Sequence, residues 1–137
     1  MQLLKVCRYG LLSLTVALLA GCGGGGLPKV EGTPEESALR NQLSEVRELV
    51  TIFAKSHDKK GPAKLSDLQQ YEKINPAGFR AIKENAVVLI YGVSPDPSSS
   101  AVLAYQKDAD KNGGMALLAN GTLKKVSAGD VAASIKK

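Results

Sequence analysis

A single apolar stripe followed by a change of period limits what this chain can build. Leu39, Leu43, Val46, Leu49, Val50 and Phe53 recur at steps of four, three, three, one and three residues, which puts them on one helix face; Arg40, Glu45, Arg47 and Glu48 fall away from it. Thr33-Pro34-Glu35-Glu36 precedes the stripe, with Thr as cap, Pro at the first helical position and Glu three residues after the cap. Ser56-His57-Asp58-Lys59-Lys60-Gly61-Pro62 follows it, with cations and breakers suited to a helix end. These signals predict a helix from 34 to about 57.

Beyond residue 85 the pattern is that of strands. Residues 86–91 and 101–105 are apolar runs rich in β-branched side chains, separated by a stretch of Ser, Pro and Asp. Residues 115–119 and 122–126 flank Asn120-Gly121, the dipeptide that best accepts positive φ in a two-residue hairpin turn. With such a turn Leu118 faces Leu123 and Leu117 faces Lys124, so both faces hold apolar surface and the core face stays open. Shorter helices are predicted from Ser66, with Leu65 packing before it, and from Asn75-Pro76 to about Lys83. Ser127, with Asp130 in the first turn, caps a last helix docked by Val131 and Ile135. The predicted fold is α+β: one long N-terminal amphipathic helix packed on an antiparallel sheet of about four strands, with short helices between and at the C-terminus. At 137 residues, 44% hydrophobic and 4% aromatic with no Trp, the chain has room for one domain on an aliphatic core, which excludes a multidomain enzyme.

The first 32 residues stand outside that domain. Lys5 and Arg8 precede an uncharged apolar stretch, residues 10–20, which is the layout of a secretory signal. A membrane-spanning helix needs about 20 apolar residues, and Gly23-Gly24-Gly25-Gly26 stops any helix here. Leu19-Ala20-Gly21-Cys22 resembles the lipobox of bacterial lipoproteins. That resemblance implies that residues 1–21 are removed, that the Cys22 thiol carries a diacylglycerol and that its new amino group is acylated, palmitate being the kind of chain involved. It also implies a lipid bilayer as partner. Each buried CH₂ contributes roughly 0.8 kcal/mol, so two or three chains hold a small domain durably. Gly23 follows the cysteine where Asp would favour the inner membrane, implying the periplasmic face of the outer membrane in a two-membrane organism. Residues 22–32 then form a Gly-rich tether of about 17 Å, and residues 33–137 the single globular domain. Cys7 leaves with the signal and Cys22 takes lipid, so no disulfide forms. The 18 basic residues less Lys5 and Arg8 leave 16 against 13 acids, a charge of +3 that names no acidic partner.

The order of elements resembles the globular part of type IV pilins and type II secretion pseudopilins. More specifically, Asp110, the nine residues Lys-Asn-Gly-Gly-Met-Ala-Leu-Leu-Ala and then Asn120-Gly121 are similar to the ending of prepilin-like bacterial proteins: His, nine residues, Asp-Gly. The stretch from Val102 to Val126 is also similar to small uncharacterised lipoproteins with that ending. Asp110 replaces the His and Asn120 the Asp, so the family His carries no role over. A pilin also keeps a long apolar helix at its mature N-terminus where this chain has a cut site and lipid. The resemblance therefore implies the fold and not filament assembly.

Asp108-Ala-Asp110-Lys-Asn112-Gly113 fits the opening of a calcium loop, with oxygen ligands at alternate positions and Gly at the sharp turn. The twelfth position is Ala119 instead of a bidentate Glu, which excludes an EF-hand. Some pseudopilins hold calcium near their C-terminal strands, so the resemblance leaves a weaker site through Asp96, Asp108, Asp110 and Asn112 in and near loop 107–114. A plain polar turn explains the same residues. His57, the one histidine, lacks a second His or a Cys as co-ligand and is expected to be a solvated helix end. Ser98-Ser99-Ser100 has no base at a telling spacing, so no enzyme is expected. Asn120-Gly121-Thr122 fits a glycosylation triplet, but the turn explains it. Lys55, Lys59, Lys60, Lys64, Lys73, Arg80 and Lys83 could face anionic lipid or cell-wall polymer; with acids interspersed they are expected to be solvated surface. Too few aromatics accompany them to stack nucleic acid. The expected function is a non-catalytic envelope binding or structural module, lipid-anchored, offering a sheet edge or helix face to another envelope protein. The alternative is a small calcium-binding module.

Overall fold

The computed structural model describes residues 32–136. The expected signal, Cys22 and the tether up to residue 31 lie outside the described residues. Helix α1 runs Pro34–Ser56, and the Thr33 hydroxyl accepts the N–H of Glu36 at 3.2 Å, as its cap signature predicts. Its stripe is buried from Leu43 to Phe53, with Leu39 half-buried. A 3-10 segment, Leu65–Tyr71, follows, then α2 (Pro76–Lys83), β1 (Val87–Leu89), β2 (Val102–Gln106), α3 (Ala109–Asn112), β3 (Gly114–Leu118), β4 (Leu123–Val126) and α4 (Ala128–Ile135). The strands form one antiparallel meander in the order β1-β2-β3-β4, with α1 packed on it. The fold is the expected α+β arrangement.

Several local expectations are corrected. The 3-10 segment starts at Leu65 and not at Ser66, because the Asp67 carboxylate takes the free N–H groups of Ala63 (3.0 Å) and Lys64 (3.1 Å) one step earlier. The strand expected at 86–91 is regular over Val87–Leu89, and backbone bonds from Lys107 N–H to Ala86 O at 3.0 Å and from Ile90 N–H to Leu103 O at 2.9 Å carry the pairing one residue further at each end before the chain turns at Tyr91. Loop 107–114 is not an open polar turn: it winds into α3, entered through Asp108 at φ 62°. The β3–β4 connection has three residues, Ala119-Asn120-Gly121, so Leu117 faces Leu123 and Ala116 faces Lys124, one position off the expected register. The Gly121 N–H donates to Leu118 O at 2.8 Å, the Leu118 N–H to Thr122 O at 2.9 Å, and Gly121 alone takes positive φ, which is a type I turn followed by a bulged glycine.

The sheet buries both faces, which is why neither pattern in β3 stood out. Met115 and Leu117 point to α1 and join Leu43, Leu49, Phe53 and Leu103. Ala116 and Leu118 point the other way, to Val102, Tyr105, Val126 and Val131 of α4. A bulge between Val102 and Ala104 puts Leu103 and Ala104 in succession on the α1 side. Helix α4 has the capping box expected of Ser127 and Asp130. Val131 docks it, but Ile135 is 49% exposed and does not, because α4 meets α3 and β2 near Val131 and its last turn runs on beyond them.

Candidate functional site

The four carboxamide and carboxylate side chains considered for calcium do not come together. In α3, Asp108 and Asn112 stand one turn apart, while Asp110, two residues after Asp108, projects from another side of the same turn. Asp108 is engaged by Lys111 at 3.4 Å. Asp110 lies toward Tyr105, whose hydroxyl is pushed above its ordinary pKa by burial and then by that negative charge. Asp96 is at the far end of β3: its N–H donates to Ala119 O at 3.0 Å, whereas α3 precedes Gly114. Five strand residues, roughly 17 Å, separate those ends. The Asp96 carboxylate accepts the Ser98 hydroxyl at 2.7 Å and the Ser98 N–H at 2.9 Å, and these bonds hold it below the usual carboxylate range. Among the described residues no group of three His, Cys, Asp or Glu side chains could hold a metal ion. The Asp110 to Asn120 spacing is likewise one strand with a turn at either end, so these two positions are separated by the length of β3.

His57 closes α1. Its ring stacks on Phe53 with centroids 3.9 Å apart and planes 8° from parallel, and Nδ1 lies 2.9 Å from Phe53 O. A carbonyl only accepts, so Nδ1 carries the proton and Nε2 is the ring's free acceptor when neutral. Ser56 Oγ and Tyr71 Oη are 2.7 Å apart, tying the helix end to the 3-10 segment. The loop serines are spent locally: Ser98 on Asp96, and Ser99 Oγ accepting the N–H of Ala101 at 3.2 Å. The serine within reach of the His57 ring is the adjacent Ser56, with Oγ 3.2 Å from Nδ1, and no hydrogen bond joins His57 to Ser98, Ser99 or Ser100 among the described residues.

The seven basic residues, adjacent in a sequence list, are separated in space. Arg80 and Lys83 are in α2 with Lys73 just before it, whereas Lys55 is in the last turn of α1, Lys59 and Lys60 follow that helix, and Lys64 precedes the 3-10 segment. Lys55 and Lys59 border one groove together with Thr51, Ala54, Ser94, Pro95, Asp96 and Pro97, so an acid shares it with the two lysines. The chain at this end is bent hard: Asp58 (φ 52°) and Lys59 (φ 63°) both take left-handed backbone, and Gly61 donates its N–H to Ser94 Oγ at 3.0 Å. The sequence shows the lysines but not the loop 94–97 that comes to lie beside them. No protein-family model, curated protein or solved structure matches the chain.

Proposed function

We propose that the chain is a lipid-anchored, non-catalytic module of a bacterial cell envelope, held by acylated Cys22 and presenting a compact α+β head to an envelope partner. The observation that carries this reading is Leu19-Ala20-Gly21-Cys22 at the end of a basic and apolar leader, followed by four glycines. It is supported by the helix cap at Thr33, which opens the fold soon after the glycines. The long helix before a four-stranded antiparallel meander is the element order of a pilin head, and that order is all that supports the pilin-like part of the reading.

Labelling with radioactive palmitate tests the anchor. The wild type incorporates label and Cys22→Ser does not; mass spectrometry of the native protein gives a chain beginning at Cys22 with two or three acyl groups. An unmodified thiol, or residues 1–21 still attached, overturns the proposal. Separation of the two membranes on a density gradient checks the outer-membrane assignment.

A further inference from the structure

The chain contains two Asn-Gly pairs, Asn112-Gly113 and Asn120-Gly121. A glycine, having no Cβ, leaves its amide nitrogen open to the side-chain amide carbon of the residue before it. Ring closure between the two is equally available to both pairs in an unfolded chain. Folding makes them unequal. Asn112 is the last residue of α3, where each Cα–Cβ bond tilts toward the helix N-terminus and carries the side chain away from the next residue's nitrogen. Asn120 points forward. Its Oδ1 accepts the Thr122 N–H at 2.9 Å, and that bond closes a ring of chain atoms that contains the Gly121 nitrogen. The same N–H sits on the oxygen where negative charge gathers when Cγ is attacked, so it bonds the attacked state more strongly than the resting one. In either pair the glycine N–H must first leave a carbonyl, Gly113 that of Ala109 at 3.1 Å and Gly121 that of Leu118 at 2.8 Å, so this requirement is shared. Exposure alone would select the other pair, because Asn112 is exposed where Asn120 is half-buried.

We propose that Asn120 is a self-modification site, converting to aspartyl and isoaspartyl forms in the folded protein while Asn112 is spared. Hydroxide removes the Gly121 amide proton, the nitrogen bonds to Asn120 Cγ, the Cγ–Nδ2 bond breaks, and ammonia leaves with a proton from water, which restores the hydroxide. Water then adds to one or the other carbonyl of the five-membered imide. One opening gives Asp; the other gives an isoaspartyl link that routes the main chain through Cβ and Cγ. The sum is one water consumed and one ammonia released, with nothing oxidised or reduced. Either product adds a negative charge to a turn against which the Arg47 guanidinium lies, and the isoaspartyl form adds a backbone atom to the three-residue connection between β3 and β4. The site is a slow, irreversible mark of the age of the chain, and it goes beyond the anchored-lipoprotein reading without depending on it.

The test incubates the full chain in a non-ionic detergent at mildly alkaline pH, natively and in concentrated guanidinium chloride. After digestion in acid, tandem mass spectrometry follows the gain in mass at each Asn, and chromatography separates Asp from isoaspartyl peptides. In denaturant both pairs convert at similar rates. Natively, Asn120 converts about tenfold or more faster than Asn112, the worth of an aimed carbonyl and its donor. Asn120→Gln, whose longer side chain cannot close the five-membered ring, shows no conversion at 120 and leaves Asn112 at its wild-type rate; a thermal melt establishes that it folds. Native Asn112 reacting as fast as Asn120 overturns the proposal. So does a native Asn120 that stays intact for the time in which it is fully converted in denaturant. Cys22→Ser converts like the wild type, so failure of the anchor and failure of this site give different results.

Discussion

Gly121 shows how one residue's backbone outweighs its contacts. A Cβ built there would meet the Arg47 guanidinium at 2.3 to 2.5 Å, but that is the free end of a long side chain and can swing away. The φ of +86° cannot be relieved in this way. Gly121→Ala is therefore expected to lose about 1 kcal/mol in urea denaturation, undiminished in an Arg47→Ala background; relief by Arg47→Ala would make the guanidinium the cause. The same turn marks how far the hairpin was legible. Asn-Gly announced its place but not its length, because Asn serves two turn types. It tolerates positive φ, and its side chain also bonds the backbone two residues on. Here it does the second, with Oδ1 accepting the Thr122 N–H at 2.9 Å, so the loop gains a residue and the register moves by one. Asp130 yields a pH prediction. The Ser127 hydroxyl and N–H donate to its carboxylate and hold its pKa below the ordinary value. A depressed native pKa contributes stability above the pH where an unfolded Asp titrates, about 4, and loses it as pH falls through the native value. The Tm gap between wild type and Asp130→Asn is thus open at pH 6 and closes in acid. A gap independent of pH would mean that the charge of Asp130 plays no part.

Between elements, the telling contact is α1 on α2. The Gly78 N–H donates to Glu45 Oε2 at 2.9 Å and Asn75 Nδ2 to Glu48 Oε2 at 2.9 Å, so α1 supplies the cap that Asn75 was expected to provide itself. The sequence located the start of α2 correctly through Asn75-Pro76. It could not reveal the donor's true partner, because a residue some thirty positions away carries no local spacing signal. Two opposed effects meet at Gly78. Ala is the better helix former by about 1 kcal/mol, but its Cβ would meet backbone atoms of α1, Glu45 C at 2.8 Å and Val46 N at 2.9 Å. Backbone cannot swing aside, so the helices must part. Gly78→Ala is expected to destabilise by about 2 kcal/mol, the opposite sign to the helix scale, and Glu45→Ala by about 1 to 2 kcal/mol through the lost cap. A Gly78→Ala protein that unfolds at higher urea than the wild type would show that the helix interface is looser than these distances.

At the scale of the whole molecule, the aliphatic stripe and the strand runs made the architecture legible because burial imposes a period on the sequence. The candidate site was not legible, because residues that meet through folding share no spacing. Asp96 and Asp108 looked like one cluster and lie at opposite ends of β3, while Lys55 and Ser94 looked unrelated and border one groove. The two-sided sheet has a consequence for cooperativity. Leu49, fully buried, belongs to the core shared by α1, α2 and the sheet, whereas Val131 is the one buried residue of α4 and belongs to the smaller core on the other face. Leu49→Ala, at about 2 to 5 kcal/mol, weakens every element that meets α1, and hydrogen exchange should quicken throughout the domain. Val131→Ala removes two methyl groups, about 2 kcal/mol, from a helix whose own capping box is untouched. Its effect should be confined: amides of 128–135 exchange faster, while those of α1 and β3 keep their wild-type rates. If Val131→Ala exposes α1 as strongly as it exposes α4, the faces of the sheet unfold as one unit, and α4 is then a structural part of the head rather than an attached cover.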